Sequence, residues 1–305
     1  MRNLPHYRPR SASSLRTRMF APAIIAAGLV AATVLLTAAP ASAAAPTGRY
    51  VALGDSYASG ALIPTQVDLN CTRSNHNYGS LVASAVGSSS YGDVTCGGAV
   101  THGLANAGAG VLGFGVPAQF SALSASTALV TLTIGGNDIG FASIIVTCAE
   151  DSLTNPFGSP CKNQYDSGGT DQLLARINAT APNVATALQQ IHALSPNARV
   201  LLVGYPDILP TSGTGCWPSV PISWGDVPYL RSVEVNLNAM LRTQAQANGA
   251  TYVDTYTPSI GHDACKPESK RWVEGLIPGS ATAPFHPNAK GEAGMATAVE
   301  ATLNS

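Results

Sequence analysis

Short apolar runs, rich in β-branched residues, recur along the chain at wide intervals, and the segments between them place their apolar residues at helical spacing. Residues 50–53, 129–134, 199–203 and 251–253 read as buried strands, each stopped by Gly or Asp, with a weaker fifth strand at 91–95. Helical patterns occupy 78–86, 171–194 and 228–247, and a terminal helix enters just after Pro287 and covers 288–303. Pro182 is expected to break or kink the longest of these. Strands that alternate with helices predict an α/β fold, a parallel sheet covered on both faces. In such a sheet the reactive residues gather beyond the carboxyl ends of the strands. With 305 residues, 45% of them apolar, the core is large enough to stand without a metal or a disulfide framework.

The first forty residues have a different character. Arg2, Arg8, Arg10, Arg16 and Arg18 precede an apolar run over 21–39, and Ala41-Ser42-Ala43 follows with the small residues of a cleavage site. This reads as a signal peptide over 1–43, a secreted product, and one domain over 44–305 with neither internal repeat nor long linker. An uncleaved anchor is the competing reading, because the run approaches spanning length. No second such run occurs, and we expect no permanent membrane anchor. Cleavage removes five of sixteen basic residues and none of the seventeen acidic ones, leaving a net charge of −6. No basic field exists to recruit nucleic acid. The six cysteines all lie in the exported part, and an even number there points to three disulfides. Six cysteines allow fifteen connectivities; loop closure favours the neighbour pairs Cys71–Cys96, Cys148–Cys161 and Cys216–Cys265 without deciding among them. Neither C-x-x-C nor H-x(3–5)-H spacing is present, so no metal site is expected.

Four segments carry chemistry. The first strand runs directly into Gly54-Asp55-Ser56-Tyr57, which sets a serine hydroxyl and its backbone N–H on a strand-to-helix turn, a place for a nucleophile once a base takes its proton. The plain alternative is a turn that satisfies its own backbone. The third strand ends in Gly135-Gly136-Asn137-Asp138, where an Asn amide can point into a cleft and stabilise an oxyanion, or simply cap a helix. Pro284-Phe285-His286-Pro287 holds an imidazole between prolines, suited to act as base and then acid. Cys96-Gly97-Gly98-Ala99 can present a backbone N–H without side-chain obstruction. A G-x-G-x-x-G match over 108–113 lacks a clear preceding strand and is read as a Gly-rich loop, so no cofactor is expected.

These segments, with Arg271-Trp272-Val273-Glu274 and His286-Pro287-Asn288-Ala289, occur in the order seen in GDSL, or SGNH, hydrolases, and the chain resembles the secreted, disulfide-bonded esterases and lipases of actinomycetes over 48–305. The resemblance implies a three-layer α/β/α sandwich with a five-stranded sheet in flavodoxin-like order, and it supports the three neighbour disulfides. It also implies Ser56 as nucleophile, His286 as base, and an oxyanion hole formed by the Ser56 and Gly98 N–H groups with the Asn137 side chain. One position departs from the family pattern. Many members carry Asp three residues before the His, where this chain has Ala283. We therefore expect a Ser56–His286 dyad oriented by the main-chain carbonyl around Ala283, with Asp254 and Asp263 as competing partners. The activity implied is hydrolysis of small or lipid esters through an acyl-enzyme. Phospholipase A and carbohydrate acetylesterase are alternatives on the same site, and a non-catalytic cell-wall or lipid-binding module is the rival class. Nothing in the sequence fixes oligomeric state, for which a monomer is the default.

Overall fold

All five apolar runs fold as strands of one sheet: β1 (Arg49–Gly54), β2 (Ser90–Asp93), β3 (Thr127–Thr133), β4 (Arg199–Val203) and β5 (Thr251–Val253). The computed structural model describes residues 48–305, so the signal-peptide reading over 1–43 lies outside the described residues. Across the sheet the order is β5-β4-β3-β1-β2, every pair parallel, which is the flavodoxin-like order.

Because strand side chains alternate, one run feeds two cores. Val51, Leu53, Val130, Leu132 and Leu202 face one layer, where they meet α4 (Phe141–Thr154), α6 (Gln172–Leu194) and α7 (Asp226–Ala247). Tyr50, Ala52, Leu129, Leu201 and Val203 face the other, against α2 (Tyr78–Ala85) and α9 (Ala289–Leu303). The short helices α1 (Ser56–Ser59), α3 (Thr101–Ala105), α5 (Pro160–Tyr165) and α8 (Tyr256–Ser259) complete the set among the described residues. Of these nine helices, none is long and apolar enough to cross a membrane.

Three of the four predicted helices start at a side-chain cap. Asn77 accepts from Ser80 N, Asp171 from Leu173 and Leu174 N, and Asn288 from Lys290 and Gly291 N, each supplying an acceptor to an otherwise orphaned donor. Helix α4 is the longest of the helices that the sequence reading lacks. Its stretch Ile144-Ile145-Val146-Thr147 has strand-like composition, but it follows directly on the Gly140 turn and buries Ile144, Ile145 and Cys148 against the core, so packing overrides local preference. The disulfides join Cys71 to Cys96, Cys148 to Cys161 and Cys216 to Cys265.

Pro182 does not break its helix. Helix α6 runs 23 residues through it, because Leu173, Ile177, Thr180, Val184, Leu188 and Ile191 form one buried stripe on both sides of the proline, while Pro182 itself faces solvent. The proline still removes one backbone donor and crowds the preceding turn, a cost of about 3 kcal/mol in a helix interior. Pro182→Ala is therefore expected to raise unfolding stability by about 1–3 kcal/mol, read from the urea midpoint at constant slope.

Candidate active site

The site forms at the carboxyl ends of β1 and β3. Strand β1 hands over to α1 through Gly54, whose φ of +141° is closed to other residues and whose absent Cβ would lie 2.5 Å from the Thr133 carbonyl. Buried Gln119 holds this glycine on both sides, accepting from Gly54 N at 2.8 Å and donating to Gly54 O at 2.9 Å. Asp55 caps α1 by accepting from Tyr57 N at 3.0 Å. Ser56 is thus the first residue of a helix with its hydroxyl facing out of the sheet.

His286 arrives from the far end of the chain. Its Nε2 lies 2.7 Å from Ser56 Oγ, and its Nδ1 lies 2.8 Å from the Pro284 carbonyl oxygen. A carbonyl only accepts, so Nδ1 carries the proton and Nε2 is left with its lone pair toward the serine hydroxyl. The acceptor is thus not Ala283. The Ala283 carbonyl is occupied one residue earlier, closing a turn by accepting from His286 N at 3.2 Å, and Phe285 at φ +58° swings the Pro284 carbonyl to the imidazole. The two carboxylates weighed as partners are engaged elsewhere: Asp254 accepts from Thr257 and pairs with Arg242 at 3.2 Å, and Asp263 pairs with Lys266 at 3.4 Å.

A dense set of bonds fixes the histidine loop. The Tyr57 hydroxyl donates to Phe285 O at 2.6 Å, and its ring lies against the imidazole with centroids 4.8 Å apart. Ala283 N donates to Ala61 O, and Glu274 N to His286 O, both at 3.0 Å. The buried Glu274 carboxylate accepts from Asn288 Nδ2, Gly279 N and Ser280 Oγ and pairs with Arg271 at 2.6 Å. Burial pushes its pKa up, but these donors together outweigh burial and hold it below the usual glutamate value. Burial likewise moves the His286 imidazole below its ordinary value, against the opposing pull of the Pro284 carbonyl.

The donors expected for an oxyanion occupy three places. Ser56 N and Gly98 N have no acceptor among the described residues. Asn137 donates one amide hydrogen to Ala99 O at 2.9 Å, which fixes the side chain and leaves its second hydrogen available. Asp138 accepts from Thr101 N and Thr101 Oγ1, tying the third-strand turn to the Gly98 turn. Cys96 N donates to Gly54 O and Gly97 N to Cys71 O, so the first disulfide braces the turn that holds Gly98 at φ +79°. Ser56, Asn137 and His286 line one pocket; Gly98 does not line it and is exposed.

The profile of the GDSL-like lipase/acylhydrolase family matches residues 52–293. Lipase 2 of Streptomyces coelicolor is 43% identical over 277 residues, covering 89% of this chain and 90% of that protein. The chain belongs to this family. Lipase 1 of the same organism is 30% identical over 271 residues, with 87% of this chain and 91% of that protein covered. Among solved structures, phospholipase A1 from Streptomyces albidoflavus superposes with a TM-score of 0.67 at 29% identity, over 84% of this chain and 99% of that one. The extracellular lipase of Streptomyces rimosus gives 0.60 at 26% identity, over 83% and 99%.

In this family member the pocket beside Ser56 is apolar. Ile139, Phe141, Ile144 and Ile145 form one wall, and Ile208, Leu230, Val233 and Leu237 the other. Two residues that hold the site carry no signal in the sequence. One is Gln119. The other is Tyr205, on the loop after β4, which accepts from Gly136 N at 2.8 Å and donates to Asp55 at 2.6 Å. This links the serine turn to the Gly135-Gly136-Asn137 turn through the interior. Burial raises the Asp55 carboxyl to about 7, against the lowering effect of the Tyr205 and Tyr57 donors. Gln119, at the start of a short 3-10 turn, and Tyr205, in a loop, are single polar residues recognisable only once the partners are adjacent in space. Tyr205→Phe keeps the ring, which packs edge-on to Tyr57 with centroids 5.0 Å apart, and strips both buried hydrogen bonds. We expect a stability loss of about 1–3 kcal/mol in chemical denaturation; a variant within a few tenths of the parent would show that the linkage carries no weight.

Proposed function

We propose that the protein is a secreted serine ester hydrolase that acts on acyl esters through a covalent acyl-enzyme at Ser56. The observation that carries this reading is the hydrogen-bonded pair Ser56 Oγ and His286 Nε2 at the mouth of an apolar pocket. His286, its tautomer set by Pro284, takes the hydroxyl proton as the oxygen attacks the ester carbonyl. The Ser56 and Gly98 N–H groups and the free amide hydrogen of Asn137 receive the negative charge that develops on the carbonyl oxygen. The imidazolium then gives its proton to the leaving alcohol, and water, activated by the same imidazole, releases the acid.

The apolar walls favour an acyl chain over an acetyl group, which supports lipase-like or phospholipase-like substrates above acetylated sugars. The basic, apolar leader with its small-residue cleavage site, together with three disulfides, supports export and removal of residues 1–43. A non-catalytic binding module has no use for a serine hydroxyl held on an imidazole lone pair.

Two measurements test the assignment. A fluorophosphonate probe is expected to label the parent and not Ser56→Ala, and that variant is expected to lose hydrolysis of p-nitrophenyl esters; hydrolysis at the parent rate would overturn the nucleophile. The second is the pH profile. The neutral imidazole is the active form and burial favours it, so the acid limb of kcat/KM is expected to have its midpoint below 6.5, with activity constant above it and falling as pH drops through it. A midpoint above 6.5 would require a carboxylate partner that raises the imidazole, contrary to the carbonyl found here.

A further inference from the structure

One ionisable side chain in the pocket is not used by the mechanism above. Glu234, on the wall that α7 supplies, lines the pocket alongside Leu230, Val233 and Leu237 and is 7% exposed. Its Oε2 accepts from Ile208 N at 3.3 Å, while its Oε1 is buried with no partner among the described residues. One turn further along the helix, Asn238 holds the same loop with two bonds, from Nδ2 to Tyr205 O and from Tyr205 N to Oδ1, both at 2.9 Å. The loop is therefore already fastened, and the second oxygen of Glu234 exceeds what the fold uses.

Burial first, and the Asp207 carboxyl behind it, push the Glu234 carboxyl well above the ordinary glutamate range. The residue that lines the pocket thus carries a buried carboxyl oxygen without a partner among the described residues, set among apolar side chains. Buried polar atoms without partners are rare in folded proteins and call for an explanation.

We infer that Glu234 recognises a hydroxyl on the acyl chain, so that the pocket selects hydroxyacyl esters over plain alkanoyl esters. This rests on the reading of the pocket as the acyl site. A hydroxyl, which both donates and accepts, pairs with Oε1 and satisfies both groups; an unsubstituted chain reaching the same depth leaves that oxygen orphaned, and sites built on a substrate hydrogen bond reject the analogue that lacks it.

The test is a set of p-nitrophenyl esters in matched pairs, each plain alkanoyl ester beside its hydroxyl positional isomers, with kcat/KM taken as a ratio within each pair. In the parent, one hydroxyl position is expected to exceed its plain partner by about tenfold to a hundredfold, the range for satisfying a buried polar group. Glu234→Leu is expected to abolish the preference. Glu234→Gln, whose carbonyl can still accept from Ile208 N and whose amide can hydrogen-bond the hydroxyl, is expected to retain most of it. The ratio does not depend on the fraction of folded enzyme, so a poorly folding Leu variant still reports. A flat ratio at every position in the parent, or the same ratio in Glu234→Leu, would overturn the inference while ester hydrolysis stands. Failure to hydrolyse any ester would overturn the acyl-site reading together with it.

Discussion

A buried hydrogen bond from the Tyr57 hydroxyl to the Phe285 carbonyl, 2.6 Å long, joins the residue after Ser56 to the residue before His286. The neighbouring contact, serine to imidazole, spans 230 positions of sequence, and neither of its members could hold the distance alone. Serine is short, and the histidine loop is irregular chain with a residue at positive φ. The tyrosine bond sets the spacing instead, and it can do so because each end is anchored separately. Gln119 clamps Gly54 and the sheet fixes β1 on one side; Glu274, Asn288 and the start of α9 fix the loop on the other. The sheet supplies the coarse position and a few buried side chains supply the last ångström, on which reaction geometry depends.

Carboxyl groups around the site divide by what surrounds them. Glu274 is ringed by donors and stays ionised, which makes it a rigid hub for the histidine loop. Asp55 has two donors and sits near the balance point, with a value of about 7. Glu234 has one weak donor and a carboxyl neighbour, and burial pushes its pKa well above the usual glutamate value. The same functional group is thus an ionised hub, a linker or an unsatisfied group according to how many hydrogen bonds replace the water it lost. Of the three, the last leaves one oxygen without a partner, and its side chain lines the pocket.

Much of this was legible in the sequence. The strand runs, their stopping glycines and the helical spacing of the four long segments are local signals, and local chemistry realises them. The serine and asparagine segments could be placed at strand ends and the histidine segment ahead of the last helix, and the resemblance to one family joined the three. What could not be read depended on contacts across the fold. Helix α4 looks strand-like until its apolar face is seen packed on the core. Pro182 looks like a terminator until the stripe on either side of it is buried. The acceptor for His286 was expected one residue early, since the choice between the Ala283 and Pro284 carbonyls turns on a single positive φ at Phe285 that its residue type does not announce. Gln119 and Tyr205 are invisible for the same reason.

A carbonyl in place of a carboxylate changes how the proposed reaction divides its work. Both fix the tautomer, but an aspartate also stabilises the imidazolium that forms as serine loses its proton, whereas a neutral carbonyl offers only a dipole. The imidazole here is accordingly a weaker base, consistent with its lowered pKa, and gains less from taking the proton. More of the transition-state charge must then be met at the other pole. The proposed donors are held firmly: the Gly98 turn is braced by a disulfide and by Asp138, the Asn137 amide is fixed by its bond to Ala99, and the Gly136 turn is locked through Tyr205 to the cap of the serine helix. Donors that need not move as charge develops cost the reaction no reorganisation. In the proposed mechanism that rigidity is the physical counterpart of the neutral carbonyl on the histidine side.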